Sequence, residues 1–260
     1  MRQALRLLWS SLGDLYYELF PLALTNFLWF LFSIPQLALV GVILLIAYQG
    51  PELLGAYILI GGIAVSLWLL LIPMLFATLL IGAPATAGLY YVVNQLVHGE
   101  PSGPRLFFSA FRRFFWRAVR LAASNLALLL LLLLNIYFYA YMLGGFFIIL
   151  AVLFGYALLL WLLIQPYLFP MLVELETPVR GILRNAVIFA LDNVRLTLSL
   201  AVLYALIWAL TISPLILLML PFLGPVLLAL IGTKAVLELI EKYRARLAEV
   251  EGRPPRRRHE

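Results

Sequence analysis

The chain contains no cysteine among its 260 residues and only two histidines, His98 and His259. The absence of cysteine excludes disulfides, thiolate metal sites and cysteine nucleophiles. Charged residues are also scarce, since they make up 12% of the chain against 65% for hydrophobic residues. In soluble globular domains roughly a quarter of the residues are charged. The composition therefore predicts an integral membrane protein.

Long uncharged runs predict helices that cross a bilayer, because about 20 helical residues span its hydrocarbon core. We predict an all-α, polytopic fold with about six transmembrane helices in a membrane domain at residues 21–247. The uncharged part of the last span is too short to cross alone. Either its helix continues with Lys234 reaching the interface, or the last two segments form a re-entrant pair. The predicted spans are residues 21–47, 55–81, 122–141, 146–170, 196–220 and 222–240.

Amphipathic segments accompany these runs. We predict an interfacial helix at residues 1–20, cytoplasmic amphipathic helices at 105–121 and 178–195, and a basic disordered tail at 248–260. Thr177 is the predicted N-cap of the helix at 178–195. At 100° per residue, arginine and phenylalanine occupy opposite faces of the helix at 105–121, so we expect it to lie along the membrane surface. Its candidate residues for docking a lipid or a partner are Arg105, Arg112, Arg113, Trp116, Arg117 and Arg120.

The distribution of basic residues predicts the orientation in the membrane. All eighteen lysines and arginines fall in the N-terminal segment, the two amphipathic helices and the segment from Lys234 onward. The turns on the other side contain none. Because basic loops remain in the cytoplasm, we expect both termini to be cytoplasmic. The net charge of +6 then favours anionic lipid headgroups, and not nucleic acid, as the counter-charge.

Few residues are available for chemistry. The first five predicted spans contain no Asp, Glu, Lys, Arg or His, whereas ion-coupled transporters and proton pumps generally keep an ionisable residue at membrane depth. His98 is the only candidate general base, and its position in the polar stretch HGEP favours a solvated loop residue. We therefore predict that the protein is not an enzyme and uses no cofactor or metal.

Uncharged polar residues do occur within the predicted spans, and they allow two interpretations. They are a polar pathway for a neutral solute such as a sugar, or they form hydrogen bonds between helices, each worth about 0.6 kcal/mol. Because they are scattered over different depths, we favour the structural interpretation. These residues are Thr25, Asn26, Ser33, Gln36, Ser66, Thr78, Asn125, Asn135, Gln165, Thr211 and Ser213.

Four blocks carry a resemblance to a known family: NFLWFLFSIP at 26–35, GAPATAGLYYVVNQLVHGE at 82–100, FFSAFRRFFWRA at 107–118, and LGPVLLAL at 223–230. Gly82, Pro84, Thr86 and Tyr90 mark a candidate motif turn. Together the blocks resemble the YesL-like bacterial membrane proteins, a family defined by a domain of unknown function. In that family the SIP-like element runs almost directly into the PATA block, so residues 36–81 look like an inserted helical hairpin.

The resemblance implies a bacterial plasma-membrane protein that accompanies sugar-uptake and sugar-degradation systems, with no established activity. Together with the absence of catalytic and coupling residues, it leads us to predict a non-enzymatic accessory or scaffold protein of a membrane transport system. The expected partners are anionic membrane lipids and either another membrane protein or a second copy of the chain. The alternative, which rests on the polar residues within the spans, is a transporter or channel for a neutral solute.

Overall fold

The structure, a computed structural model, describes residues 2–49, 57–60, 63–212 and 223–250. Over these residues it is a bundle of helices with one short antiparallel hairpin, β1–β2. Single turns of π-helix (Thr78–Gly82, Phe138–Leu143) and 3-10 helix (Gly145–Phe147) join some of the helices. The elements are α1 (Arg2–Tyr17), α2 (Leu19–Gln49), β1 (Tyr57–Ile60), β2 (Ile63–Ser66), α3 (Leu67–Ala77), α4 (Ala83–Val97), α5 (Pro104–Tyr137), α6 (Ile148–Glu174), α7 (Val179–Asp192), α8 (Val194–Ile212) and α9 (Gly224–Val250).

Several of these helices are long and apolar enough to cross a membrane. In the described ranges four helices meet these criteria. A fifth span is added if α7 and α8, which are bent by 103° relative to each other, form one span. The predicted all-α, multi-pass architecture is therefore confirmed, whereas the count of six stays a prediction. Part of the span predicted at 196–220, and the tail from residue 251 onward, lie outside the described residues. The four candidate spans in the described ranges are Leu19–Ile46, Leu71–Val97, Pro104–Leu143 and Gly145–Glu174.

The motif block forms a helix, so the prediction of a turn at Gly82, Pro84, Thr86 and Tyr90 is wrong. The chain passes from α3 through a π-helical turn directly into α4, and the apolar helix extends over Leu71–Val97. Pro84 lies in the first turn of α4, where its missing N–H removes no helical hydrogen bond. The structure also differs from the predicted span at 55–81, because the hairpin β1–β2 occupies its first part.

Small residues of the motif let α4 pack closely against its neighbours. Ala85 and Ala87 are fully buried, and α4 contacts α2, α5, α6 and α9. A Cβ on Gly88 would lie only 3.0 Å from the ring of Phe107 on α5. Close approach of backbones through small residues is a common way for helices to associate in membranes. The motif therefore places α4 at the centre of the bundle.

The basic amphipathic segment and the following apolar run form one continuous helix, α5, of 34 residues. The sequence predicts separate segments at 105–121 and 122–141; the structure joins them, and residues 105–137 contain no glycine or proline at which a helix would stop. Its apolar face is also buried in the protein: Phe107, Phe114, Ala118 and Leu121 are each at most 2% exposed. The amphipathic pattern is present, and these four residues pack against other parts of the protein, whereas Phe108 remains 46% exposed.

The last helix, α9, begins inside the bundle. The backbone N–H of Val226 in its first turn donates to Oδ1 of buried Asn26, 2.9 Å away. Asn26 lies seven residues into α2, which corresponds to about 10 Å along that helix. The helix α9 runs without a break through Lys234, but it is not among the candidate spans of the described chain. The choice between a sixth span and a re-entrant pair stays a prediction, because residues 213–222 lie outside the described residues.

Charged groups at one end of the bundle join its two terminal helices. Lys234 of α9 forms an ion pair with Asp14 of α1, with 2.7 Å between Nζ and Oδ2. Arg6 of α1 and Glu238 of α9 form a second pair at 2.6 Å. Arg6 is 68% exposed, so its pair contributes about 0–1 kcal/mol, whereas the Lys234 side chain is only 14% exposed. Together the two pairs define which helix ends lie together.

Candidate functional site

A cavity of about 560 Å³ lies between the helices. Its walls are formed by α2, α3, α4, α5, α6, α8 and the start of α9, and none of the described side chains that line it is Asp, Glu, Lys, Arg or His. Small-molecule sites are typically apolar cavities of roughly 300–1,000 Å³ with a few well-placed polar groups. Because an unpaired charge is costly to bury, this lining is suited to a neutral molecule.

Two side-chain amides form one wall of the cavity. Asn125 Nδ2 donates to Gln165 Oε1 at 3.0 Å, and Gln165 Nε2 lies 3.3 Å from Asn125 Oδ1. Gln165 also donates to the carbonyl of Trp161 at 2.7 Å, while the Trp161 indole N–H donates to the carbonyl of Asn125 at 3.3 Å. These bonds join α5 to α6 and fix the orientation of both amides before any molecule enters.

A second wall comes from α2 and α4. The indole N–H of Trp29 donates to the Thr86 hydroxyl at 3.1 Å, and that hydroxyl donates to the carbonyl of Gly82 at 2.8 Å. Gln36 lines the same wall, and its amide has no hydrogen-bond partner among the described residues. The Gln36 amide oxygen lies 3.0 Å from the position that a Cβ on Gly82 would occupy. The Gln36 amide is therefore the polar group of this wall that remains available to a bound molecule.

Two tyrosines close the cavity towards α9. Tyr90 and Tyr204 both line it, and the Tyr204 hydroxyl donates to the carbonyl of Leu228 at 2.6 Å. Pro225, in the first turn of α9, also lines the cavity. Because α9 begins beside the cavity, its N-terminal end forms part of the cavity wall. The cavity thus combines aromatic surfaces with hydrogen-bonding groups.

The structure brings together four of the polar residues that seemed scattered in the sequence: Gln36, Thr78, Asn125 and Gln165 all line the cavity. Thr86 and Tyr90 of the motif line it too, although they belong to a helix and not to a turn. Asn135 does not take part, because it donates to the carbonyl of Leu131 on its own helix. The side chains of Ser66, Thr211 and Ser213 lie outside the described part of the chain.

Sequence reasoning missed five aromatic members of the lining, Trp29, Trp161, Phe169, Tyr204 and Trp208. A helical spacing could have indicated them. Trp161 precedes Gln165 by four residues, and Trp29 precedes Gln36 by seven, so each pair shares a helix face. The signal in the sequence was a polar and an aromatic residue on the same face of an otherwise aliphatic helix, which indicates a lining position.

The predicted docking residues lie on the part of α5 that carries charge. Arg105, Arg112 and Arg113 are exposed, and so is Trp116, at 66%. Arg117 is directed inward and donates to the carbonyls of Leu175 at 2.8 Å and Thr177 at 3.0 Å. Arg113 lies over the ring of Phe114, 5.2 Å from its centroid, and the Nε of Arg120 donates to the carbonyl of Trp116. The predicted set thus divides into exposed residues and one structural residue, Arg117.

His98 is more constrained than the sequence suggests. Its Nδ1 lies 2.8 Å from the carbonyl of Asn94, and its Nε2 lies 3.9 Å from a carboxylate oxygen of Glu174. Asn94 donates to the same Glu174 oxygen at 3.0 Å. These contacts tie the end of α4 to the end of α6. Within the described ranges, no group of three or more His, Asp or Glu side chains is arranged to hold a metal ion.

The fold and the cavity together define a multi-pass helical membrane protein with an uncharged polar cavity between its helices. Residues 22–136, which are less than half of the chain, match the model of a family described as "Protein of unknown function, DUF624". This match confirms the resemblance to a family defined by a domain of unknown function. No curated protein and no solved structure matches the chain.

Proposed function

We propose that the protein is a non-enzymatic membrane protein that binds a neutral, polar solute in the cavity, as a transporter or channel for such solutes would. The observation that supports this is the convergence of Gln36, Asn125 and Gln165, from three different helices, on one cavity without charged lining residues. The sequence favoured a structural role for these residues because their depths differ. The bond between Asn125 and Gln165 fits that structural role, and their convergence with Gln36, whose amide has no partner among the described residues, adds support for a binding site.

The lining indicates the chemistry of the bound molecule. Amides both donate and accept hydrogen bonds, so they suit hydroxyl and carbonyl groups. Indole and phenol rings offer flat apolar faces with polar edges. A neutral molecule with a ring and several hydroxyl groups, such as a sugar, matches both properties. A phosphorylated or otherwise charged form of the same molecule does not, because the lining provides no counter-charge.

Replacement of Gln36 with leucine tests this proposal. The purified protein is challenged with neutral sugars and with the corresponding sugar phosphates, and binding is followed through its tryptophan fluorescence and its melting temperature. We expect at least one neutral sugar to bind and the phosphates not to bind. Gln36→Leu should weaken binding about two- to twelvefold, since one neutral hydrogen bond contributes about 0.5–1.5 kcal/mol.

Asn135→Leu is the matched control, because Asn135 bonds to its own helix and does not line the cavity. It should leave sugar binding unchanged. Binding of the phosphates, equal loss in both variants, or a co-purified lipid whose acyl chain occupies the cavity would each contradict a site for a neutral solute.

A second role rests on the exposed face of α5. We propose that the protein also acts as an accessory or scaffold component of a membrane transport system, such as one for carbohydrate uptake, in the bacterial plasma membrane with both termini cytoplasmic. Arg112 makes no ion pair within the described residues, and Trp116 on the same helix is 66% exposed. Together they form a basic and aromatic surface that suits an acidic cytoplasmic segment of a partner.

Gentle purification from the native host tests the accessory role. We expect a membrane-transport protein to co-purify in stoichiometric amount, and Arg112→Glu to abolish its recovery because the charge of the surface is reversed. Arg2→Glu is the control, since it changes the net charge equally at an exposed position on α1. Recovery of the chain alone or only with itself, or a partner that contacts the external side, would contradict this role.

A further inference from the structure

A second cavity, of about 570 Å³, lies at the charged end of the bundle, where α5 passes the start of α7. Its lining includes three arginines, Arg117 and Arg120 from α5 and Arg180 from α7. Glu176 also lines it and is its one carboxylate, so the lining carries a net charge of about +2. None of the three arginines forms an ion pair within the described part of the chain.

The start of α7 adds hydrogen-bond donors to this cavity. Pro178 occupies the N-cap, and no side chain caps the helix, so the prediction that Thr177 is the N-cap is wrong. The Thr177 hydroxyl is shielded from solvent but has no hydrogen-bond partner among the described residues. Proline lacks the conformational freedom to bring the preceding hydroxyl onto the first turn, because its φ is restricted and it constrains the residue before it. The first-turn N–H groups and the Thr177 hydroxyl are therefore left without a side-chain partner.

One of the arginines is already fixed in place. Arg117 donates to the carbonyls of Leu175 and Thr177, at 2.8 and 3.0 Å, and so anchors the segment between α6 and α7 to α5. Arg120 and Arg180 make no comparable bond across the cavity, and both are exposed. A planar guanidinium group forms paired hydrogen bonds with the oxygens of a phosphate group, so Arg120 and Arg180 suit such a ligand.

The cavity also lies beside apolar surface. Leu183 is part of its lining. On the C-terminal side of Arg120, helix α5 continues into its apolar part. Trp116, one turn from Arg120, is exposed, and exposed tryptophans are enriched where a membrane meets water. An amphiphile with its phosphate at the arginines would place its acyl chains along α5. We propose that this cavity binds a phosphate group, supplied by an anionic phospholipid of the surrounding bilayer.

Binding measurements on delipidated protein in a neutral detergent test this site. The probes are phosphatidylglycerol, diacylglycerol of the same chain length, and inorganic phosphate, each followed by native mass spectrometry and by the melting temperature. We expect phosphatidylglycerol to bind and diacylglycerol not to bind. The double variant Arg120→Gln, Arg180→Gln should weaken binding of phosphatidylglycerol at least about tenfold, because two charge-assisted hydrogen-bonding groups are removed.

Arg184→Gln is the matched control, since it removes an exposed arginine from α7 that does not line the cavity. Arg117 is left unchanged in all variants because of its two backbone bonds. If inorganic phosphate binds with the same dependence on Arg120 and Arg180 while the lipid does not, the phosphate site stands and the lipid as its source is overturned. Equal binding of diacylglycerol, or an equal effect of Arg184→Gln, overturns the site itself.

Discussion

Replacement of Gly232 with alanine is expected to lower the melting temperature of the protein strongly, or to prevent its accumulation in the membrane. A Cβ at this position would lie 2.5 Å from the hydroxyl oxygen of Tyr204 and 3.0 Å from the carbonyl oxygen of Pro166. The first atom belongs to a side chain held by its bond to Leu228, and the second is backbone. Neither can move away easily, and overpacking of this kind destabilises by about 1–3 kcal/mol or more.

Thermal unfolding in detergent, followed by tryptophan fluorescence, measures this effect. Gly155→Ala on α6 is the control, because no neighbouring atom lies within 4 Å of its added Cβ and alanine is the better helix former. It should not lower the melting temperature. The double variant Gly232→Ala, Tyr204→Phe removes the closest clashing atom and should recover part of the loss. Equal effects of Gly232→Ala and Gly155→Ala would contradict close packing of α9 against α6 and α8.

Asn26→Leu is expected to have the next largest effect. Asn26 is fully buried on α2, and its Oδ1 accepts a hydrogen bond from the backbone N–H of Val226 at the start of α9. Leucine has the same branching, is larger and offers no acceptor, so a buried N–H in the first turn of α9 would lose its partner. Loss of such a partner costs about 1–3 kcal/mol. We therefore expect a lower melting temperature and earlier detachment of α9, measurable as faster hydrogen exchange in its first turns.

Ser33→Ala on the same helix provides the contrast. The Ser33 hydroxyl is buried and has no hydrogen-bond partner within the described residues. Its removal should leave the stability unchanged or raise it slightly, because an unsatisfied buried polar group is removed. If Ser33→Ala destabilised the protein as much as Asn26→Leu, the bond to Val226 would not be what holds the start of α9 in the bundle.

These two expectations concern one structural feature, the start of a helix inside the bundle and beside the uncharged cavity. Pro225 and Leu228 of α9 line that cavity, and Tyr204, which also lines it, bonds to the backbone of α9 at Leu228. A displacement of α9 would therefore change the cavity wall. Binding of a neutral sugar should decrease in Asn26→Leu even where the protein remains folded, and the same fluorescence titration measures it.

The amphipathic helix shows where a sequence pattern is reliable and where it is not. The spacing of arginine and phenylalanine in residues 105–121 correctly indicates a helix with one apolar and one basic face. This spacing does not determine whether the apolar face contacts lipid or protein. Phe107 and Phe114 are buried because α4 and the neighbouring helices, supplied by other parts of the chain, cover them.

The sequence by itself determined the class of this protein, since hydrophobicity and charge are properties of local segments. A run of about 20 apolar residues must cross or enter a bilayer wherever it stands in the chain. Only the tertiary structure decided that the motif around Pro84 continues a helix, that α9 begins beside Asn26, and that Gln36, Asn125 and Gln165 share one cavity. Each of these depends on contacts between residues distant in sequence, and the packing of small residues and the pairing of buried polar groups set those contacts.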